Sequence, residues 1–213
     1  MTPSEQSAHT LDLCRMAPVI PVLVIHDLAH ARPLAEALVA GGLPVLEVTL
    51  RTDAALEAIK AMAEVPGAVV GAGTVLGAAQ MQAAKAAGAR FAVSPGATPA
   101  LIEAARAEGV PLLPGAQTCS EVMTLLELGY TVQKFFPAEV IGGADALKSI
   151  GGPLPQVTFC PTGGITLGRA PDYLRLPNVK CVGGSWVAPA SALAKRDWDA
   201  VTALACDAAA QRG

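Results

Sequence analysis

Short apolar runs alternate along the chain with longer, alanine-rich segments that have a helical period. The apolar runs do not alternate with polar residues, so each predicted strand should be buried on both faces, as in a parallel sheet covered by helices. Eight strands are predicted, beginning with the runs Val19–Ile25, Val45–Leu50, Val69–Gly71, Phe91–Val93, Leu112–Leu113, Thr131–Phe136, Val157–Cys160 and Lys180–Val182.

Helix-like segments lie between these runs, and several end on Gly, the residue common just after a helix C-terminus. Examples are Arg32–Gly42, Ala54–Glu64, Ala78–Gly88, Pro99–Gly109 and Ser120–Gly129. Eight evenly spaced βα units predict an α/β protein with the (β/α)8 TIM-barrel fold. A doubly wound open sheet is the alternative, and it fits less well because eight such units would make an unusually wide sheet.

The residues from Met1 to Met16 predict an extra helix before the first strand, where it could plug the N-terminal end of the barrel. No linker or low-complexity stretch divides the chain, so residues 1–213 are predicted to form a single (β/α)8 domain. Hydrophobic residues make up 52% of the chain and charged residues 15%, which is ample material for one core.

The charge and cysteine content of the chain limit which binding partners and which cellular compartment are expected. The net charge of -3 and the low aromatic content of 4% give no basic or stacking surface, so nucleic acid is not an expected partner. Five cysteines without a CxxC pair suggest reduced thiols. No signal peptide and no apolar run of about 18 residues is present, so we expect a cytoplasmic protein that does not cross a membrane.

In a barrel, chemistry belongs at the C-terminal ends of the strands. Lys134 lies inside the run Thr131–Phe136, and an inward lysine there would be desolvated, which lowers the pKa of the amine and frees it to attack a carbonyl. Spacing alone leaves open a lysine at a strand edge whose ammonium reaches solvent. Glu47, Thr49 and Arg51 share one strand face, so Glu47 could move protons while Arg51 grips a substrate carboxylate; a structural ion pair is the alternative.

Two glycine-rich turns follow the last two predicted strands, at Thr162–Gly164 and Gly183–Ser185. In barrels, backbone N–H groups at these positions often hold a phosphate, although a single Gly-Gly pair marks any tight turn. His26 and His30 lie four residues apart near the first strand without a nearby carboxylate cluster, so no metal site is predicted.

Six motifs occur in order across almost the whole chain and resemble the 2-keto-3-deoxy-6-phosphogluconate (KDPG) aldolase family, which also includes 4-hydroxy-2-oxoglutarate (KHG) aldolases. They are Glu-Val-Thr-Leu-Arg at 47–51, Gly-Ala-Gly-Thr at 71–74, Ser-Pro-Gly at 94–96, Lys-Phe-Phe-Pro-Ala-Glu at 134–139, Cys-Pro-Thr-Gly-Gly-Ile at 160–165 and Gly-Gly-Ser-Trp at 183–186. The resemblance implies a homotrimeric (β/α)8 enzyme that needs no cofactor and binds small-molecule substrates.

The same resemblance assigns roles to individual residues. Lys134 would form the Schiff base and Glu47 would be the general acid/base. Arg51 and Thr74 would hold the pyruvyl carboxylate, and Pro95 and Phe136 would shape the pocket. The substrate phosphate would be bound by Thr162, Gly163, Gly164, Gly184 and Ser185.

The implied reaction is class I aldol cleavage of KDPG to pyruvate and glyceraldehyde 3-phosphate, a step of the Entner-Doudoroff pathway. Two alternatives stay open at this point. One is an enzyme tuned to 4-hydroxy-2-oxoglutarate, yielding pyruvate and glyoxylate. The other is a non-catalytic barrel that binds a phosphorylated sugar and has no use for an inward Lys134.

Overall fold

The computed structural model describes residues 1–211 as parallel β-strands alternating with α-helices. The strands are β1 Val19–Leu23, β2 Val45–Thr49, β3 Val69–Gly73, β4 Ala92–Val93, β5 Leu112–Leu113, β6 Gly115–Ala116, β7 Val132–Phe135, β8 Thr158–Pro161 and β9 Val182–Gly184. The α-helices are α1 Pro3–Met16, α2 Ala31–Ala40, α3 Ala55–Ala63, α4 Ala78–Ala86, α5 Pro99–Glu108, α6 Cys119–Glu127, α7 Gly143–Gly151, α8 Ala170–Leu174, α9 Ala190–Lys195 and α10 Trp198–Ala209.

All strand pairings are parallel, as the two-sided apolar runs predicted. Six strands form one sheet in the order β5-β4-β3-β2-β1-β9, and three form a second in the order β6-β7-β8. Because most neighbours in each sheet are also neighbours in sequence, each helix returns the chain to the start of the next strand. The α/β prediction is therefore confirmed as a curled parallel sheet.

The two sheets meet at both of their edges. Pro114 separates β5 from β6, and its carbonyl accepts a hydrogen bond of 2.8 Å from Lys134 N on β7. At the other edge, isolated bridges pair Phe159 with Val179 and Thr162 with Gly183, which brings β8 beside β9. The three-stranded sheet is thus linked to the six-stranded sheet at both of its edges.

Several strand boundaries differ from the sequence-based expectation. The single run at Leu112–Leu113 continues after Pro114 as the extra strand β6, because proline lacks the N–H that a continuous ladder needs. The last strand was expected at Lys180–Val182 but lies at Val182–Gly184, where backbone N–H of Val182 donates to Pro18 O at 2.9 Å. Glycine depresses strand propensity, so the pattern alone placed this strand too early.

Helix α1 lies against the N-terminal starts of β5 and β7. A capping box at Thr2 starts the helix, with Glu5 as its N3 residue. The side chain of Gln6 accepts hydrogen bonds from Leu112 N at 3.1 Å and from the Tyr130 hydroxyl at 2.9 Å. These buried contacts fix the helix on the strand ends opposite those that carry the predicted chemistry. Within residues 1–211, no helix is long and apolar enough to cross a membrane.

Candidate active site

Lys134 lies in the middle of β7 with its side chain turned towards the inside of the curled sheet. Its neighbour Gln133 points the other way, because Gln133 Nε2 donates to Val122 O on α6 at 3.1 Å. Successive side chains of a strand face opposite sides, so Lys134 faces the interior. It is paired in register with Gly115 on β6 and Cys160 on β8, and it is buried.

Glu47 on β2 reaches across the interior to this lysine. Lys134 Nζ lies 3.4 Å from Glu47 Oε1, and the two side chains are only 6% and 4% exposed. Burial is the largest influence on the carboxyl group and raises the pKa of Glu47, while the nearby Lys134 opposes the rise. A buried carboxyl with a raised pKa beside an amine is suited to accepting and returning protons.

Gly73 on β3 leaves the space that the Glu47 carboxylate occupies. A Cβ atom at position 73 would lie 2.2 Å from Glu47 Oε1, far inside van der Waals contact. Sequence reasoning singled out the motif at 71–74 but not this role for Gly73. This role depends on the register of β2 against β3, in which Thr49 pairs with Gly73 and Glu47 shares the face of Thr49, so no local sequence signal gives it.

Arg51 lies just beyond β2 and is exposed. Its Nε donates to Thr49 Oγ1 at 3.2 Å, and the Thr49 hydroxyl donates to Leu23 O on β1 at 2.9 Å. This short chain of hydrogen bonds sets the direction of the guanidinium group at the strand ends. Thr74, after β3, has a φ of 60°, an uncommon value for a β-branched residue and one that is found at functional sites.

Phe136 and Pro95 lie on the two segments that flank β6. The Phe136 ring centroid is 5.3 Å from Lys134 Nζ, so the ring covers one side of the amine. Pro95 follows the buried Ser94, whose hydroxyl donates to Gly96 O. Gly115 allows the close approach of this segment, since a Cβ there would lie 2.3 Å from the Pro95 carbonyl.

The glycine-rich turns after β8 and β9 are adjacent. The bridge between Thr162 and Gly183 joins them directly, and Gly163 and Gly164 have φ values of 108° and 78°. Such positive φ values are readily adopted only by glycine. Ser185 follows β9 and is exposed beside this pair of turns.

The predicted phosphate-binding set is therefore brought together in space. Gly184 is buried, and a Cβ there would overlap the ring of Trp186. A cavity of about 380 Å³ opens next to Ser185. Apolar side chains of β1 and the segment after it, such as Val24 and Ile25, and of α9, such as Leu193, form most of its lining. Lys134 does not line this cavity. The position of the predicted chemistry is therefore given by the buried contact between Lys134 and Glu47 and not by the cavity.

The histidines lie apart from the buried Lys134–Glu47 pair, although His26 and His30 line the cavity beside Ser185. His30 Nε2 lies 3.6 Å from Asp27 Oδ2, and its ring makes an edge contact with Trp198. Across residues 1–211, no group of three or more His, Cys, Asp or Glu side chains is placed to hold a metal ion. The buried pair of Lys134 and Glu47 is suited to acid–base and nucleophilic chemistry without a metal ion.

Comparisons with known proteins agree on one family. The family model described as Aldolase: KDPG and KHG aldolase matches residues 11–204. A relative from Pseudoalteromonas atlantica, a 2-dehydro-3-deoxy-phosphogluconate aldolase, is 56% identical over 200 residues, which cover 93% of each chain.

Two solved structures are similar throughout. The KDPG aldolase of Zymomonas mobilis ZM4 with 3-phosphoglycerate has a TM-score of 0.93 at 57% identity, covering 97% of both chains. The KDPG aldolase of Legionella pneumophila, with pyruvate captured as a covalent carbinolamine intermediate, has a TM-score of 0.91 at 46% identity, covering 98% of both chains.

The fold, the buried amine–carboxyl pair and these relatives define an α/β enzyme of the lyase class that cleaves a carbon–carbon bond. The chain belongs to the KDPG and KHG aldolase family. Family membership sets aside the non-catalytic sugar-binding alternative that the sequence left open.

Proposed function

We propose that this enzyme is a class I aldolase that cleaves KDPG reversibly to pyruvate and glyceraldehyde 3-phosphate through a Schiff base on Lys134, as a step of the Entner-Doudoroff pathway. The observation that carries the proposal is the buried contact of 3.4 Å between Lys134 Nζ and Glu47 Oε1. The carbinolamine in the Legionella relative supports covalent catalysis by an amine in this family.

In the cleavage direction, Lys134 attacks the C2 ketone of the bound keto acid and forms a carbinolamine. Loss of water, with protons carried by Glu47, gives a protonated imine. The iminium accepts the electron pair of the breaking C3–C4 bond while Glu47, through a water molecule, removes the proton of the C4 hydroxyl. Glyceraldehyde 3-phosphate leaves, the enamine is protonated at C3, and hydrolysis releases pyruvate and free Lys134. The iminium replaces an unstable carbanion with a neutral enamine.

The remaining predicted residues would position the substrate. Arg51 and Thr74 bind the pyruvyl carboxylate and so fix the orientation of the reacting carbon, and Pro95 and Phe136 shape the pocket around it. The phosphate is bound at the paired turns by the hydroxyl groups of Thr162 and Ser185 and by backbone N–H groups of Gly163, Gly164 and Gly184. The positive φ values of Gly163 and Gly164 support a turn whose N–H groups converge on an anion.

The finer architecture and assembly are also part of the proposal. The links between the two sheets at both edges support a single (β/α)8 barrel over residues 1–213, of which residues 212 and 213 lie outside the described part of the chain, with α1 as an extra helix on its N-terminal end. A homotrimer is proposed because the family resemblance implies it. Light scattering coupled to size-exclusion chromatography tests this assembly, and a monomeric mass would contradict it. The cytoplasmic location expected from the sequence stays a prediction.

A second candidate activity, cleavage of KHG to pyruvate and glyoxylate, is favoured by the family description, which names both substrates. In that case the paired turns would receive a carboxylate instead of a phosphate. Pyruvate release from KDPG and from KHG, coupled to a dehydrogenase, distinguishes the two. A strong preference for KDPG supports the phosphate assignment, comparable rates indicate a general anion site, and no pyruvate from either substrate contradicts the proposed function.

A further inference from the structure

Glu139 lies between the lysine strand and the proposed phosphate turn, outside the residues to which a role is assigned above. It belongs to the segment that joins β7 to α7. Its backbone N–H donates to Gly163 O at 3.1 Å, and that of its neighbour Ala138 donates to Thr162 O at 2.8 Å. The segment after the Schiff-base lysine is therefore bonded to the turn that would hold the phosphate.

The side chain of Glu139 makes this contact tighter. A Cβ atom at position 164 would lie 2.9 Å from Glu139 Cβ and 3.1 Å from its Cγ, so the stem of Glu139 packs directly on Gly164. Movement of Glu139 would open space on one side of this glycine. Because Gly164 lacks a side chain of its own, the stem of Glu139 is what limits movement of the turn on that side.

Tyr173 holds the carboxylate end of Glu139. Tyr173 is completely buried on α8, and its hydroxyl donates to Glu139 Oε1. Burial, and then the neighbouring carboxylate, raise the pKa of Tyr173, so the hydroxyl stays protonated and remains a donor. Arg169 lies near the second oxygen, with Nη2 3.6 Å from Glu139 Oε2, and balances the negative charge at the protein surface.

We propose that Tyr173 and Glu139 are positioning residues for the phosphate end of the substrate. The hydrogen bond from Tyr173 fixes Glu139, and Glu139 fixes the Gly163–Gly164 turn through its backbone and its stem. Neither residue touches the reacting carbon, so both act on the affinity for the phosphorylated substrate rather than on the chemical step. The inference rests on the proposed function, since it assumes that this turn receives the phosphate.

The test compares Tyr173→Phe with the unsubstituted enzyme on KDPG and on the same keto acid without its phosphate group, which offers no anion to the turn. Because Tyr173 acts on the turn only through Glu139, we expect part of the hydrogen-bond energy to reach the substrate. KM for KDPG should rise about three- to tenfold, with kcat for KDPG and KM for the dephosphorylated acid nearly unchanged. Inorganic phosphate should inhibit the variant more weakly by a similar factor. Glu139→Gln keeps an acceptor for Tyr173 and should change KM for KDPG less than Glu139→Ala.

Tyr130→Phe is the matched control. Tyr130 is also completely buried, and its hydroxyl donates to Gln6 at the opposite ends of the strands. This control should lose comparable stability without altering the ratio of the two KM values. An unchanged ratio in Tyr173→Phe and in Glu139→Ala would overturn the inference. Failure of the unsubstituted enzyme to release pyruvate from KDPG would instead contradict the proposed function.

Discussion

Lys134 Nζ and Glu47 Oε1 lie 3.4 Å apart although the two residues are 87 positions apart in the sequence. Both side chains are almost fully buried, so neither charge is satisfied by bulk water. Burial of a charged pair is costly, and a sequence that only required stability would be served as well by apolar residues. The pair therefore marks the position where the fold supports chemistry.

Glycine at position 73 is expected to be required for the position of Glu47. Gly73→Ala would place a Cβ atom 2.2 Å from Glu47 Oε1 and displace the carboxylate from Lys134. We expect kcat to fall by about a hundredfold, which is the lower end of the contribution that a general acid/base group makes to the rate. Steady-state kinetics with KDPG measures this effect.

Gly152→Ala is the control for that substitution, because an added Cβ there meets only Ser149 O at an ordinary 3.6 Å. It should leave kcat unchanged. Full activity in Gly73→Ala would show that the Glu47 carboxylate is not needed where the structure places it.

Glu47 should control the acidic limb of the pH profile. Burial and Cys160 raise the pKa of Glu47, Lys134 and Arg51 lower it, and the net direction is upward. Because the proposed base must be ionised, kcat/KM should begin to fall at a pH above the ordinary carboxyl value near 4.5. The profile is measured with saturating coupling enzyme, and a limb at or below that ordinary value would contradict the assignment.

The same shift has a consequence for stability. A group whose pKa is raised by folding contributes stability below its unfolded pKa and loses that contribution as the pH rises through its folded pKa. Glu47→Gln removes this ionisation. The free energy of unfolding of Glu47→Gln should therefore depend less on pH across the window above 4.5 than that of the unsubstituted protein.

Arg51 is expected to bind substrate through the planar geometry of its guanidinium group. Arg51→Lys keeps the charge but cannot make two parallel hydrogen bonds to a carboxylate. We expect KM to rise about ten- to a hundredfold for both KDPG and KHG, since both carry the pyruvyl carboxylate. Arg15→Lys, on α1 at the other end of the strands, is the control. An equal response of the two variants would remove Arg51 from the binding site.

Gln6 should stabilise the fold without acting in catalysis. Its carbonyl oxygen accepts two buried hydrogen bonds, from Leu112 N and the Tyr130 hydroxyl. Gln6→Ala leaves both donors unsatisfied and should lower the free energy of unfolding by about 1–3 kcal/mol. Gln80→Ala removes an exposed acceptor of Leu76 N, which water can replace, and should cost less than about 0.5 kcal/mol. Urea unfolding compares them, and equal losses would contradict the role given to Gln6.

The local pattern of apolar and polar residues predicts most of the strands and helices of this chain. The runs that begin at Val19 and Val45 become β1 and β2 almost unchanged, because a strand buried on both faces needs a continuous apolar run. Helix α5 ends at Glu108, and Gly109 after it has a φ of 67° and terminates the helix in the left-handed conformation. These features depend only on residues close together in the sequence.

The features that could not be predicted depend on distant residues. The bridge between Thr162 and Gly183 and the hydrogen bond from Lys134 N to Pro114 O follow from how the two sheets meet, which no local period encodes. The inward direction of Lys134 was left open by spacing and is fixed in the structure by the outward contact of Gln133. The packing of Glu139 on Gly164 required the turn to be placed first.

Trapping of a covalent intermediate tests the central claim most directly. The protein is incubated with pyruvate, reduced with borohydride, digested and examined by mass spectrometry. We expect a reduced pyruvyl adduct on Lys134 that is absent from Lys134→Ala, and the rate of pyruvate release by this variant should fall by about a thousandfold or more. An adduct on another lysine, or full pyruvate release by Lys134→Ala, would contradict this claim.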